Sequence, residues 1–175
     1  MRKACLTAIS VALLVGCSTD ITGDAIADSP TDQTFDPCTI PDTTITAAGL
    51  DPASKDSMAD KGYTTPGWTI CGWESIGQDD WYTLDVYFTP DYDLNDVRGN
   101  PQNSGFEGVE IAGRSALVYQ SRVNDTEISC EIAFDTAIGL ALFSASRKGS
   151  SEFSGDLCEV VVRHTRSISP AVPKS

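Results

Sequence analysis

From its N-terminus the chain presents an apolar run, Ala4 to Val15, interrupted only by Thr7 and Ser10. A polar, acidic stretch of small residues follows from Ser18 to Phe35, with neither helical nor strand periodicity, and reads as a flexible spacer. Beyond Asp36-Pro37-Cys38 the pattern becomes that of a folded domain. Asp42 or Thr43 can cap a short helix running through about Ala48, and Gly49 suits the left-handed conformation that ends one. Residues 51 to 67, rich in Asp, Ser, Lys, Gly and Pro, read as loop. Trp68-Thr69-Ile70-Cys71-Gly72-Trp73 predicts a strand, Asp80 to Thr89 predicts its partner, and Gly77 between them favours a hairpin. Pro90 to Ser104 is polar and broken by Pro and Gly, with at most a helical turn near Leu94. Three further strand candidates come next: Gly108 to Ala112 running into Arg114 to Ser121, Glu127 to Phe134, and Gly139 to Ser146. Alternation is clearest from Ser129 to Phe134, which gives one buried and one wetter face. Leu157, Val160, Val161, His164 and Ile168 fall at helical spacing, so Leu157 to Ile168 predicts a helix, although its Val run also suits a strand. Together these elements predict a single α+β domain over residues 36–175. It would be a mainly antiparallel sheet with a short N-terminal helix and a C-terminal helix packed on one face.

Composition adds location. The 175 residues are 41% hydrophobic and 21% charged, which suits one domain with tails. Twelve Lys and Arg against 25 Asp and Glu give a formal charge of −13, a surface that repels phosphate backbones and argues against nucleic acid as a partner. Arg2 and Lys3 precede the apolar run and no acid occurs before Asp20, the charge pattern of an export signal. The run is far shorter than the ~20 residues that span a bilayer. It ends in Leu14-Val15-Gly16-Cys17, which resembles a bacterial lipobox. That resemblance implies a signal peptide over residues 1–16, a lipidated Cys17 and a spacer over 17–35. The bilayer would then be a partner through the acyl chains, each buried methylene contributing ~0.8 kcal/mol, and the domain would sit on the extracytoplasmic face of the cell membrane.

Of six cysteines, Cys5 would leave with the signal peptide and Cys17 would be acylated, so Cys38, Cys71, Cys130 and Cys158 remain. An even number outside the cytoplasm favours disulfides. Four cysteines permit three pairings, and sequence alone does not choose among them. Cys38–Cys71 with Cys130–Cys158 is the expected set, tying the N-terminal segment to the first strand and a central strand to the last helix. A zinc site is disfavoured by the lack of a C-x-x-C pair and the presence of a single His. The lipobox, the spacer, Asp36-Pro37-Cys38, Ala48-Gly49-Leu50, Cys71-Gly72-Trp73, Gly113-Arg114-Ser115-Ala116, Cys130 and Cys158, in that order, resemble a family of actinobacterial lipoproteins carrying a domain of unknown function. The resemblance implies an envelope lipoprotein with a disulfide-bonded α+β domain and brings no catalytic residue with it.

Catalytic patterns are lacking. G-x-S-x-G, S-x-x-K, H-E-x-x-H and G-K-[ST] do not occur, and His164 is the only histidine. Asp79-Asp80 and Glu107 with Glu110 qualify as carboxylate pairs only through the abundance of acids. Asp91-Tyr92-Asp93-Leu94-Asn95-Asp96 begins like a calcium loop but has Asp96 and Gln102 where such a loop needs Gly and Glu. No metal and no cofactor are expected. What remains is aromatic: Trp68, Trp73, Trp81, Tyr82 and Tyr87, with Tyr63 nearby. Trp68 and Trp73 have opposite strand parity and so face opposite ways. The cluster is either ordinary core packing or the lining of a groove for a sugar, lipid or peptide. The expected role is that of a non-enzymatic binding or accessory module for an envelope protein, lipid or glycan. Alternatives are a cell-wall-acting enzyme subunit with an unrecognised site, and a surface-exclusion or immunity lipoprotein.

Overall fold

The structure is a computed structural model and describes residues 34–77, 81–122, 128–149 and 155–174. The expected signal peptide, Cys17 and nearly all of the spacer lie outside those residues, as do Asp79 and Asp80. Strands β1 (Asp56–Ser57), β2 (Thr69–Glu74), β3 (Tyr82–Thr89), β4 (Asn103–Ile111), β5 (Arg114–Arg122), β6 (Ile128–Thr136) and β7 (Gly139–Arg147) form one sheet in the order β1-β2-β3-β7-β6-β5-β4. Every neighbouring pair is antiparallel. The chain therefore lays down β1 to β3, crosses to the far edge, and returns through β4, β5 and β6 until β7 closes against β3. Strand β7 can occupy the centre because Leu140, Ala141, Leu142 and Phe143 are buried whichever way they point. The expected α+β class holds.

Helix α3 (Leu157–Ile168) covers one face. Asp156 caps it by accepting from the Cys158 N–H at 2.7 Å, and Val160, Val161 and Ile168 pack over Leu84, Val86, Ile132, Phe134 and Phe143. Its Val run thus serves a helical core stripe, because the period is 3.6 and the flanking Asp156 sets the start. Helix α1 (Asp42–Ala47) joins the same side through Ile45. Gly49, at φ 83°, ends it, with Gly49 and Leu50 N–H groups returning to Thr46 and Ile45 carbonyls. Disulfides Cys38–Cys71 and Cys130–Cys158 are formed, the expected pairing, and they staple the N-terminal turn to β2 and α3 to β6. Arg114 lies over the Phe134 ring and donates to the carbonyls of Ser169, Val172 and Pro173, pinning the segment that follows α3.

Five expectations are corrected. The candidate from Gly108 to Ser121 is two strands, β4 and β5, joined by a turn in which Ala112 (φ 49°) and Gly113 (φ 78°) are both left-handed. Strand β4 starts at Asn103, well before Gly108; as an exposed sheet edge its first residues have no apolar face to announce it. The helical turn at Leu94 is the six-residue helix α2 (Leu94–Gly99), and it packs on the face opposite α1 and α3, so the helices do not share one side. The cap of α1 is Pro41, with Asp42 in the first turn, and the fold already includes Phe35, whose ring meets Phe88 edge-on at 5.6 Å.

A candidate ligand cavity on the half-open face of the sheet

On the face away from α3, register aligns one residue per strand into rungs. One rung reads Asp56, Gly72, Asp85, Ser144, Glu131, Tyr119 from β1 to β5. Its neighbour reads Ile70, Tyr87, Leu142, Ala133, Leu117 and is apolar apart from the phenol. The polar rung is thus a band of three carboxyl groups set into a half-buried surface, an arrangement that costs free energy unless each acid is compensated.

Glu131 is compensated in part. Its carboxylate accepts hydrogen bonds from Tyr119, Ser129 and Ser144, which favour the charged form, yet burial dominates and pushes its pKa above the ordinary value. Asp85 has no such help. Burial, then the nearby charge of Asp56, push it up to about 6. Gly72 makes this placement possible: a Cβ there would stand 2.1 Å from Asp85 Oδ1. The Tyr87 phenol is raised by burial and by the Asp85 and Glu131 charges, and the Tyr119 phenol by burial and by Glu131. Both phenols therefore stay protonated at any physiological pH.

Above the apolar rung lies a cavity of about 570 Å³. Its floor is Ile70, Leu140 and Leu142 from the sheet, with Glu131 and Tyr119 at one side. Its walls are Met58 and Thr65 from the loop before β2, Trp68 and Tyr87, and Tyr92, Asp96, Val97 and Asn100 from the α2 region. Helix α2 is held in place by its own sequence. Asp93 caps it by accepting from the N–H groups of Asn95 and Asp96, Asp96 reaches back to the Asp93 N–H, and Asp135 on β6 accepts from the Leu94 N–H. Those backbone donors hold the Asp93 pKa below the ordinary range. The calcium-like run therefore serves as a capping box. Trp68 stacks on Tyr92 with centroids 5.6 Å apart and meets Tyr87 edge-on at 6.0 Å, forming an aromatic corner at the rim.

The five expected groove residues divide between the two faces. Trp68 and Tyr87 line the cavity. Trp73, Trp81 and Tyr82 do not belong to it: all three are buried in the core. Tyr82 approaches His164 Nε2 at 2.8 Å and accepts from Arg163, so a phenol assigned to a surface groove belongs to the sheet–helix core, together with the only histidine. The opposite parity of Trp68 and Trp73 is realised without a bulge in β2. Tyr63 is 65% exposed and lies outside this cavity, on the preceding loop. Sequence reasoning missed Glu131, Tyr119, Tyr92 and Asp96. The available signal was Glu131 itself, an acid between Cys130 and Ile132 in a long alternating strand.

The described residues define a disulfide-bonded α+β domain with one face of its sheet sealed by a helix and the other half open over an aromatic, acid-edged cavity. Over residues 12–170 the chain matches the family described as Protein of unknown function (DUF3558), and it belongs to that family. No curated protein and no solved structure matches it. Among the described residues no helix is long and apolar enough to cross a membrane.

Proposed function

We propose that this chain is an extracytoplasmic lipoprotein of an actinobacterial envelope, anchored through an acylated Cys17, whose domain is a non-enzymatic binding module. The observation that carries the binding role is the cavity beneath Trp68. Its volume, about 570 Å³, lies inside the ~300–1,000 Å³ range of ligand sites, and its lining is aromatic and aliphatic with a few placed polar groups. Two disulfides support an oxidising compartment. The basic start, short apolar run and Leu14-Val15-Gly16-Cys17 support export and acylation. The test is native mass spectrometry of the unreduced protein secreted from an actinobacterial host, followed by titration with envelope extract while tryptophan emission is recorded. A reproducible small-molecule adduct, lost in Trp68→Ala, is the expected result. Protein that flies bare and shows no emission change with any extract would remove the cavity as a binding site.

A further inference from the structure

We infer that the cavity takes an organic cation, an ammonium group on an apolar body, in preference to an anion or an uncharged sugar. The inference rests on the reading of the domain as a binding module and adds the chemical class of the ligand. Charge is the first argument. Glu131 and Asp96 line the cavity and, among the described residues, no Lys, Arg or His does, while Asp85 continues the acidic rung away from Glu131 as far as Asp56, which is ion-paired with Lys61. An anion entering this site would meet two carboxylates and no counter-charge, on a chain whose formal charge is already −13. Aromatic geometry is the second. Trp68 and Tyr92 stack near-parallel at 21°, which covers one face of each, Tyr87 stands at 87° to Trp68, and the three rings form a corner of the cavity lining above Ile70, Leu140 and Leu142. Such a corner attracts an ammonium group through the ring quadrupoles and gives its alkyl body an apolar bed.

The third argument is hydrogen-bond inventory. Tyr119 gives its hydroxyl to Glu131, and Asn103 gives its amide N–H to the Val97 carbonyl at 2.9 Å. Asn103 Oδ1 is left buried with no hydrogen-bond partner. The cavity also holds the hydroxyls of Thr65 and Ser121 and the Asn100 amide, but the polar atom buried there without a partner is an acceptor, Asn103 Oδ1, which suits a positively charged group.

The experiment uses three probes with one tail: octyltrimethylammonium, octyl glucoside and octyl sulfate, each below its micellar concentration. Each is titrated into the purified, disulfide-bonded protein by calorimetry with tryptophan emission in parallel. The cation should bind about tenfold or more tighter than either partner probe, as a charged contact in a partly desolvated site allows. Glu131→Gln, which keeps size and one acceptor, should erase that preference and leave octyl glucoside unchanged. Tyr92→Leu, at a 43% exposed position where folding is not at stake, should weaken the cation by about two- to fivefold, the effect of one lost ring face. Equal or tighter binding of glucoside or sulfate would overturn the cation assignment and leave the binding module standing. Cation binding that neither variant alters would mark adsorption to an acidic surface and overturn it too. Failure of all three probes to bind, together with bare protein in the mass spectrum, would bring down both readings.

Discussion

Asp85→Asn should make this protein more stable at neutral pH. The side chain lies in the middle of β3, opposite Gly72 on one side and Ser144 on the other, and its carboxyl is pushed from 3.8 up to about 6 by burial first and by Asp56 second. The folded state therefore binds this proton more tightly than the unfolded state, so stability rises as pH falls through about 6 and levels off below the unfolded value near 4. Above about pH 6 the ionised form carries the full penalty. A shift of about two units at ~1.4 kcal/mol each amounts to about 3 kcal/mol. Asparagine has the same shape, fits the space that Gly72 leaves, and has no charge to desolvate. Urea unfolding of both proteins without reductant, at neutral pH and at about pH 4, isolates the effect, because Glu131 and the remaining acids are common to both. Asp85→Asn should gain about 3 kcal/mol at neutral pH, on the order of 10 °C in melting temperature, and almost nothing at about pH 4. A variant no more stable than the parent at neutral pH would show that the ionised Asp85 carboxylate is compensated in the folded state and would refute the penalty assigned to it.

Replacing Ala112 by Asn places Asn-Gly in a turn whose two central residues are both left-handed; the gain should be about 0.5–1 kcal/mol in urea unfolding, and a loss would show that the turn is not of that type. Removing Cys130–Cys158 as a double Ala variant opens a loop of sequence separation 28, for which chain entropy gives about 4 kcal/mol; a loss under about 1 kcal/mol in non-reducing unfolding would contradict that bridge as the staple of α3. Cys17→Ser should move the protein from the detergent-extracted membrane fraction to the soluble one, and retention in the membrane would contradict lipid anchoring.

The elements that sequence patterns disclosed are those whose two sides differ. Helix α3 shows Leu157, Val160, Val161, His164 and Ile168 at helical spacing because one stripe meets the sheet, and its predicted bounds match the observed Leu157–Ile168. Strand β6 alternates in polarity, yet the expected wetter face is not wet: Ser129 and Ala133 are as buried as Cys130, Ile132 and Phe134; the cysteine count pointed to the bridges. What stayed hidden lacks that contrast. The first half of β4 is an exposed edge with no buried side, and the Ala112-Gly113 turn has Gly at its second left-handed position but Ala at the first, where Asn, Asp or Gly is usual. Spatial order was hidden as well: nothing in the chain order says that β7 inserts between β3 and β6. The cavity depends on that insertion, because it is β7 that brings Asp85 and Glu131, 46 positions apart in sequence, to either side of Ser144.

The aromatic residues show why a site is harder to read than a fold. Parity separates Trp68 from Trp73, but which side is sealed depends on where α3 lands, and it lands on the side of Trp73 and Tyr82, with Tyr82 meeting His164 and Trp73 sharing the same core. The sealed face then follows ordinary rules, with Tyr82 satisfied by His164 and Arg163. The open face breaks them, since it sets acids into mid-strand positions where Val or Thr would be more stable. The two acids on the central strands differ in a way that separates stability from function. Glu131 lines the cavity and is met by three donors, which offset part of the burial penalty on its carboxylate; Asp85 does not line it and is met by none of the groups that would favour its ionisation. Asp85→Asn should therefore raise stability and leave octyltrimethylammonium affinity within about threefold, the weak effect of a charge that does not line the cavity, whereas Glu131→Gln should lose the preference for the cation with the fold intact. If both substitutions gained stability and neither touched binding, the acidic rung would be strain without a ligand, and the cavity would lose its claim to a cation.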